Sequence, residues 1–324
     1  MNQYWSFLEP GDIVDIIAPS STVSTNELLS YYQETKAILA GIGLIAHIPD
    51  DLIDLNQDLF SANSLEYRSR HLIDSLTNKK SKAVWAIRGG YGAAKLIPAL
   101  ENIEPPKKAK LLLGFSDITA LHLFLENKWH WSTMHSAVIN QIIHNPKLLE
   151  ELKPILFGKQ TSINYHQLLP LNDLALEDKT INASITGGNL SLVQTSLATS
   201  WQINASNKII FLEDVNEEGY RIDRMLNQLL QAGIFKSAKA LIFGEFTPPK
   251  MPENKTDLCS LALKNFALLL NIPVLSLPII GHNINHNSPL ALGVESKLTL
   301  GSKALLTCSS GGKKLFLKRI TELK

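Results

Sequence analysis

Apolar and polar positions along the first half of the chain alternate between two periods. Residues 12–19 (DIVDIIAP) form a short apolar run closed by proline, which predicts a buried strand. Residues 25–40 place Leu28, Leu29, Tyr32, Ile38 and Leu39 on one side of a 3.6-residue repeat, and Gly41-Ile42-Gly43 ends that helix. Further strands are predicted at 44–48, 83–87, 110–113 and 129–134, and further helices at 64–76, 91–100 and 117–126. In the helix at 64–76, Leu65, Leu72, Ile73 and Leu76 make the apolar side, while Arg68 and Arg70 fall on the polar side. Strands alternating with helices predict βαβ units and a mostly parallel sheet covered by helices on both faces.

The alternation weakens after Pro154. Residues 158–180 hold scattered polar residues and a turn-like Leu-Pro-Leu-Asn-Asp, and they are expected to link an N-terminal α/β domain (1–157) to a C-terminal domain (181–324). In the second part, Thr186-Gly187-Gly188-Asn189 is expected to open a helix. A strand at 208–212, a helix at 220–231, a strand at 240–244 and a helix at 257–270 follow. Short β-like runs at 274–280, 297–300, 304–307 and 315–320, with glycine turns between them, predict a smaller, mixed and partly barrel-like domain.

A length of 324 residues agrees with two domains, since single cores stop growing at about 250–300 residues. A net charge of +1 gives no footprint for nucleic acid or an anionic membrane, and Lys107, Lys108 and Lys110 after Pro105-Pro106 read as a solvated turn. Cys259 and Cys308 lie far apart and outside any C-x-x-C motif. No apolar run reaches the ~20 residues that span a bilayer, and the first residues lack a basic stretch followed by an apolar one. A soluble cytoplasmic protein is expected.

Ligands of parallel α/β sheets bind beyond the carboxyl ends of the strands, and two loops leave such ends with unusual residues. Arg88-Gly89-Gly90-Tyr91-Gly92 can turn the chain, cradle a phosphate, or present bare N–H groups to a developing anion. Its spacing fits the dinucleotide fingerprint poorly. In Gly114-Phe115-Ser116-Asp117, Ser116 suits a helix N-cap, and it equally suits a nucleophile on a strand-to-helix turn, with the Asp117 N–H facing the same oxyanion. A serine nucleophile needs a base and an orienting acid. His135, His282 and His286 stand near strand ends or in polar loops, and zinc ligation by His282 and His286 is disfavoured because their Asn-rich surroundings do not suit a helix. Glu213 ends the apolar run at 208–212. The macrodipole of the following helix accounts for Glu217 and Glu218 better than for Glu213.

Taken together, Arg88-Gly89-Gly90-Tyr91-Gly92, Gly114-Phe115-Ser116-Asp117-Ile118-Thr119, Leu212-Glu213-Asp214 with Tyr220-Arg221-Ile222-Asp223-Arg224, and Gly281-His282 resemble the LD-carboxypeptidase family of serine peptidases. That family includes muropeptide LD-carboxypeptidases of bacterial wall recycling and microcin C self-immunity hydrolases. The resemblance covers nearly the whole chain, and the glycine loop and the Tyr-Arg-Ile-Asp-Arg stretch look more like the muropeptide branch. It implies a triad of Ser116 (nucleophile), His282 (general base and acid) and Glu213 (orienting acid), assembled between the two domains. It further implies oxyanion donors at Asp117 and Gly90, a homodimer, a small muropeptide substrate, and no metal or organic cofactor. Arg88 and Gly89 are expected to bind substrate, Arg88 as the partner of a terminal carboxylate. The alternatives are hydrolysis of a peptidyl or aminoacyl adenylate, and a catalytically silent module binding muropeptide or nucleotide.

Overall fold

The computed structural model describes residues 2–23, 28–54, 58, 60–166, 168–249, 257–283 and 285–313. Six strands form the first sheet, in the order Ile45–His47, Ile13–Ile17, Ser81–Ala86, Leu111–Gly114, Thr133–His135 and Leu290–Leu292. The first five are mutually parallel. Successive residues of the inner strands face opposite apolar layers: Val14, Ile16, Trp85, Leu111 and Leu113 enter one, and Ile17, Val84, Ala86 and Leu112 the other. Burial on both faces explains why these strands read as nearly continuous apolar runs.

The second sheet has eight strands and curls into a half-barrel. Its order is Ser162–Tyr165, Leu305–Ser309, Glu295–Thr299, Thr180–Asn189, Ile209–Val215, Ala240–Thr247, Val274–Ser276 and Leu169–Pro170. Thr180–Asn189, Ile209–Val215, Ala240–Thr247 and Val274–Ser276 run parallel, and antiparallel strands flank them on both sides. Ile185, Phe211 and Ile242 join the same apolar layer as Trp85, while Leu212 and Phe243 join that of Leu112. Each layer is therefore continuous across both sheets.

The strand Leu290–Leu292 pairs antiparallel with Thr133–His135, so a C-terminal segment completes the N-terminal sheet. Residues 158–180, read from sequence as a linker, supply two strands of the second sheet. Gly187 and Gly188 do not open a helix; they extend the strand Thr180–Asn189, and Asn189 caps the helix Leu190–Thr195. The glycines are needed for close approach: a Cβ on Gly187 would lie 2.0 Å from the Phe211 carbonyl oxygen, and one on Gly188 would lie 2.5 Å from Thr119 Oγ1.

The predicted helix at 91–100 is a 3₁₀ turn (Ala93–Leu96) running into a single helical turn (Ile97–Leu100), with Pro98 near its start. The strand predicted at 129–134 begins only at Thr133, because Leu125–Trp129 is a π turn ended by left-handed His130. Arg68, assigned to a polar helix face, is buried within the helix Leu65–Thr77. The run at 315–320 lies outside the described residues. Among those residues, no helix is long and apolar enough to cross a membrane.

Candidate active site

Ser116 leaves the carboxyl end of Leu111–Gly114 in a strained turn. Phe115 is extended, and Ser116 has φ 61° at the start of a 3₁₀ turn that feeds the helix Thr119–Phe124. The left-handed conformation costs a non-glycine residue of the order of 1–3 kcal/mol and is retained where the surroundings over-determine it. Here they do. A Cβ on Gly114 would meet Ile118 at 2.9 Å and Ala86 at 3.2 Å, so strand and turn are packed backbone to side chain. The sequence left capping and nucleophilic roles open for Ser116. In the fold Phe115 holds the N-cap position, with no side-chain cap bond, and Ser116 is a half-buried residue within the turn.

The second sheet brings its acid and histidine to the same place. Glu213, fully buried near the end of Ile209–Val215, accepts a 2.7 Å hydrogen bond from His282 Nδ1. The Phe115 ring packs against His282 with centroids 4.7 Å apart and planes tilted by 54°, which places the imidazole against the residue preceding Ser116. Across the same boundary, Thr119 Oγ1 accepts from the Asn189 amide at 3.0 Å. With Nδ1 engaged by a carboxylate, Nε2 is the nitrogen left to exchange a proton. Burial alone would depress the His282 pKa. The adjacent Glu213 carboxylate, helped by Asp214 and Glu245, outweighs it and raises the value above that of an ordinary imidazole.

The His282 loop has its own supports. Glu245 accepts from the Asn283 amide at 2.9 Å and from its side chain at 3.3 Å, and buried Asn287 accepts from the Gly281 amide at 3.3 Å. Glu245 follows the apolar run at 240–244 as Glu213 follows that at 208–212, so the signal that marked Glu213 could have marked it. Asp214 bonds to partners other than His282. It accepts from Asn189 Nδ2, the Ser191 amide and Ser191 Oγ, and burial followed by the neighbouring Glu213 charge pushes its pKa up. His135 lies in the core, edge-on to Phe115 and Phe211, and burial drives its pKa well below the usual imidazole value. Among the described residues, no group of three or more His, Cys, Asp or Glu is arranged to hold a metal.

The glycine loop runs directly over the Ser116 turn. A Cβ on Gly89 would sit 3.0 Å from Ser116 Cβ and 3.3 Å from Ser116 Oγ, and Gly90 adopts φ 118° against Ser21. Asp117 is buried, and its Oδ2 accepts from Ser20 Oγ at 2.6 Å and from the Ala93 amide at 2.8 Å. Arg88 is exposed and donates from Nη1 to the Thr22 carbonyl at 2.6 Å. The structure therefore places Gly89 against Ser116, and His282, bonded to Glu213, against Phe115, the residue before Ser116.

Two family models match this architecture: the LD-carboxypeptidase N-terminal domain over residues 14–136 and the LD-carboxypeptidase C-terminal domain over residues 182–298. The chain belongs to the LD-carboxypeptidase family. A Rickettsia conorii relative carrying a provisional carboxypeptidase name is 42% identical over 298 residues, 89% of this chain and 90% of its own. The murein tetrapeptide carboxypeptidase of Pseudomonas aeruginosa is 26% identical over 72% of this LD-carboxypeptidase family member and 76% of its own length. Among solved structures, muramoyltetrapeptide carboxypeptidase from Oxalobacter formigenes superposes with a TM-score of 0.73 at 27% identity, covering 93% of this chain and 99% of that one. The microcin C7 self-immunity protein MccF shares the fold, with a TM-score of 0.79 at 15% identity over 94% of this chain and 98% of its own.

Proposed function

We propose that this protein is a serine LD-carboxypeptidase that removes the terminal D-Ala from muropeptide tetrapeptides, cleaving after the L-centre of a diamino acid. The observations that carry this reading are the Glu213–His282 bond and the contact of the His282 ring with Phe115, the residue before a serine with φ 61°. In this reading Ser116 Oγ attacks the scissile carbonyl while His282 Nε2 takes its proton. Glu213 holds the imidazole tautomer and stabilises the imidazolium that forms. The tetrahedral oxyanion accepts from the Asp117 and Gly90 amides, which are preorganised by backbone and need no reorientation as charge develops. Collapse expels D-Ala, whose amine takes the proton from His282. Water, deprotonated by the same histidine, then hydrolyses the acyl-enzyme.

Arg88 opens the glycine loop and is exposed, so its guanidinium can meet the free carboxylate of the terminal D-Ala. The names of the Pseudomonas and Oxalobacter relatives support the muropeptide substrate. The fold shared with MccF, one structure of which holds glutamyl sulfamoyl guanosine, supports the second reading, an acyl-adenylate hydrolase. Release of D-Ala from purified tetrapeptide is the test, with an aminoacyl sulfamoyl nucleoside run beside it. Turnover of tetrapeptide by wild type and none by Ser116→Ala is expected. Equal release by both proteins refutes the nucleophile assignment, and turnover of the nucleoside alone selects the second reading.

A further inference from the structure

Ile13–Ile17, Ser81–Ala86 and Leu111–Gly114 are neighbouring strands, and the proposed oxyanion donors Gly90 and Asp117 lie on the loops that leave the second and third. The first two of the loops leaving these strands meet a single arginine, and the third reaches it only through the charge of Asp117. Arg68, buried on the helix Leu65–Thr77, donates from Nη1 to the Pro19 carbonyl at 2.7 Å and to the Gly92 carbonyl at 3.1 Å, and from Nε to the Asn63 carbonyl at 2.9 Å. Its Nη2 lies 3.6 Å from Asp58. The glycine loop rests directly on the guanidinium, since a Cβ on Gly92 would lie 2.9 Å from Nη1.

A second buried charge completes the tie. The Asp117 carboxylate receives the Ser20 hydroxyl from the first loop and the Ala93 amide from the second, while its own backbone belongs to the third. Arg68 acts on it through space and favours its ionised form, against the burial that raises its pKa. Desolvating a guanidinium and a carboxylate is costly, and an apolar side chain of similar volume could fill either place. Arg68 instead spends two of its hydrogen bonds on the Pro19 and Gly92 carbonyls, and Asp117 accepts from the Ser20 hydroxyl and the Ala93 amide.

We propose that Arg68 and the Asp117 side chain form a buried brace that fixes the spacing between the Gly90 and Asp117 amides. Arg68 is thus a positioning residue for the oxyanion site. This rests on the serine-peptidase reading above. The planar guanidinium is required because one side chain must donate to three carbonyls from two nitrogens at fixed angles; a lysine ammonium at the same place keeps the charge and loses the fork.

The test uses the full chain with Arg68→Met, Arg68→Lys and Ser20→Ala. The brace predicts that kcat for D-Ala release falls about 10²-fold in both Arg68 variants, the scale of losing one oxyanion donor, with KM unchanged. Ser20→Ala, which removes one of two donors to Asp117, loses less. Two further readouts separate positioning from loss of structure. A peptidyl boronic acid adds the Ser116 oxygen to boron, the hydroxyl proton passing to His282, and places a B–O oxygen among the oxyanion donors. Its affinity falls in step with kcat, while affinity for the tripeptide product is retained. Hydrogen exchange at residues 89–93 and 116–117 quickens together in the variants. If Arg68→Met does not fold, Arg68→Lys and Ser20→Ala carry the same readouts. Unchanged kcat, or equal losses for boronate and tripeptide, overturns the brace. A wild type that releases no D-Ala overturns the functional reading instead, and the paired exchange then still decides the brace.

Discussion

Replacing Glu213 with glutamine removes one charge from the centre of the site and changes little else in shape. His282 Nδ1 lies 2.7 Å from the carboxylate oxygen, and both groups are largely withdrawn from water. Taking delocalised charge centres about 4 Å apart and an effective dielectric of about 20, the imidazolium formed at the transition state loses about 4 kcal/mol of attraction. At 1.36 kcal/mol per decade this is about 10³ in rate. The glutamine amide can also stabilise the wrong imidazole tautomer, which extends the expected loss in kcat to about 10³–10⁴. The pH profile gives an independent sign. His282 must be neutral to accept a proton, and its pKa is raised, so the acidic limb of wild-type kcat/KM lies above the ordinary imidazole value of about 6.5. In Glu213→Gln the strongest raising influence is gone while burial remains, so the limb moves to lower pH. Asp214 and Glu245 still favour the imidazolium and limit how far it moves. The assay is oxidase-coupled detection of released D-Ala between pH 5 and 9. A loss below tenfold, or an acidic limb that stays in place, would refute the assignment of Glu213 as the orienting acid.

Three other substitutions follow from the same geometry. Ser116→Gly eliminates turnover yet relieves the left-handed backbone, so denaturant unfolding should show a gain of about 1 kcal/mol over Ser116→Ala. Gly89→Ala presses a methyl group against Ser116, and kinetics should show kcat reduced by about 10- to 100-fold, in keeping with the sensitivity of near-attack geometry to displacements of an ångström. Glu245→Ala frees the Asn283 backbone and loosens the His282 loop; hydrogen exchange at residues 281–283 should quicken, and kcat should fall while KM for tetrapeptide stays put. An unchanged exchange rate there would remove Glu245 from the support of the histidine.

The strand–helix alternation of the N-terminal sheet was legible because burial on both faces leaves long apolar runs between polar turns. The place of Ser116, Glu213 and His282 was legible for a related reason, since each follows such a run. Features that depend on distant partners were not. Gly187-Gly188 has the local look of a helix start, and only the Phe211 backbone and Thr119 explain why a strand passes there without side chains. Arg68 has the spacing of a polar helix face; the carbonyls that draw it inward belong to Pro19 and Gly92, 49 and 24 residues away. The strand Leu290–Leu292 is three residues long and lies in a Pro- and Asn-rich stretch, with too little pattern to reveal which sheet it would join.

That short strand also sets the order in which the molecule can be completed during synthesis. Until residue 292 has left the ribosome, Thr133–His135 is an open edge of the N-terminal sheet, next to the strand that leads to Ser116. That sheet therefore closes only once Leu290–Leu292 has been made. The same late segments carry His282, so on the proposed reading a nascent chain holds Ser116 without its base until residue 282 has left the exit tunnel.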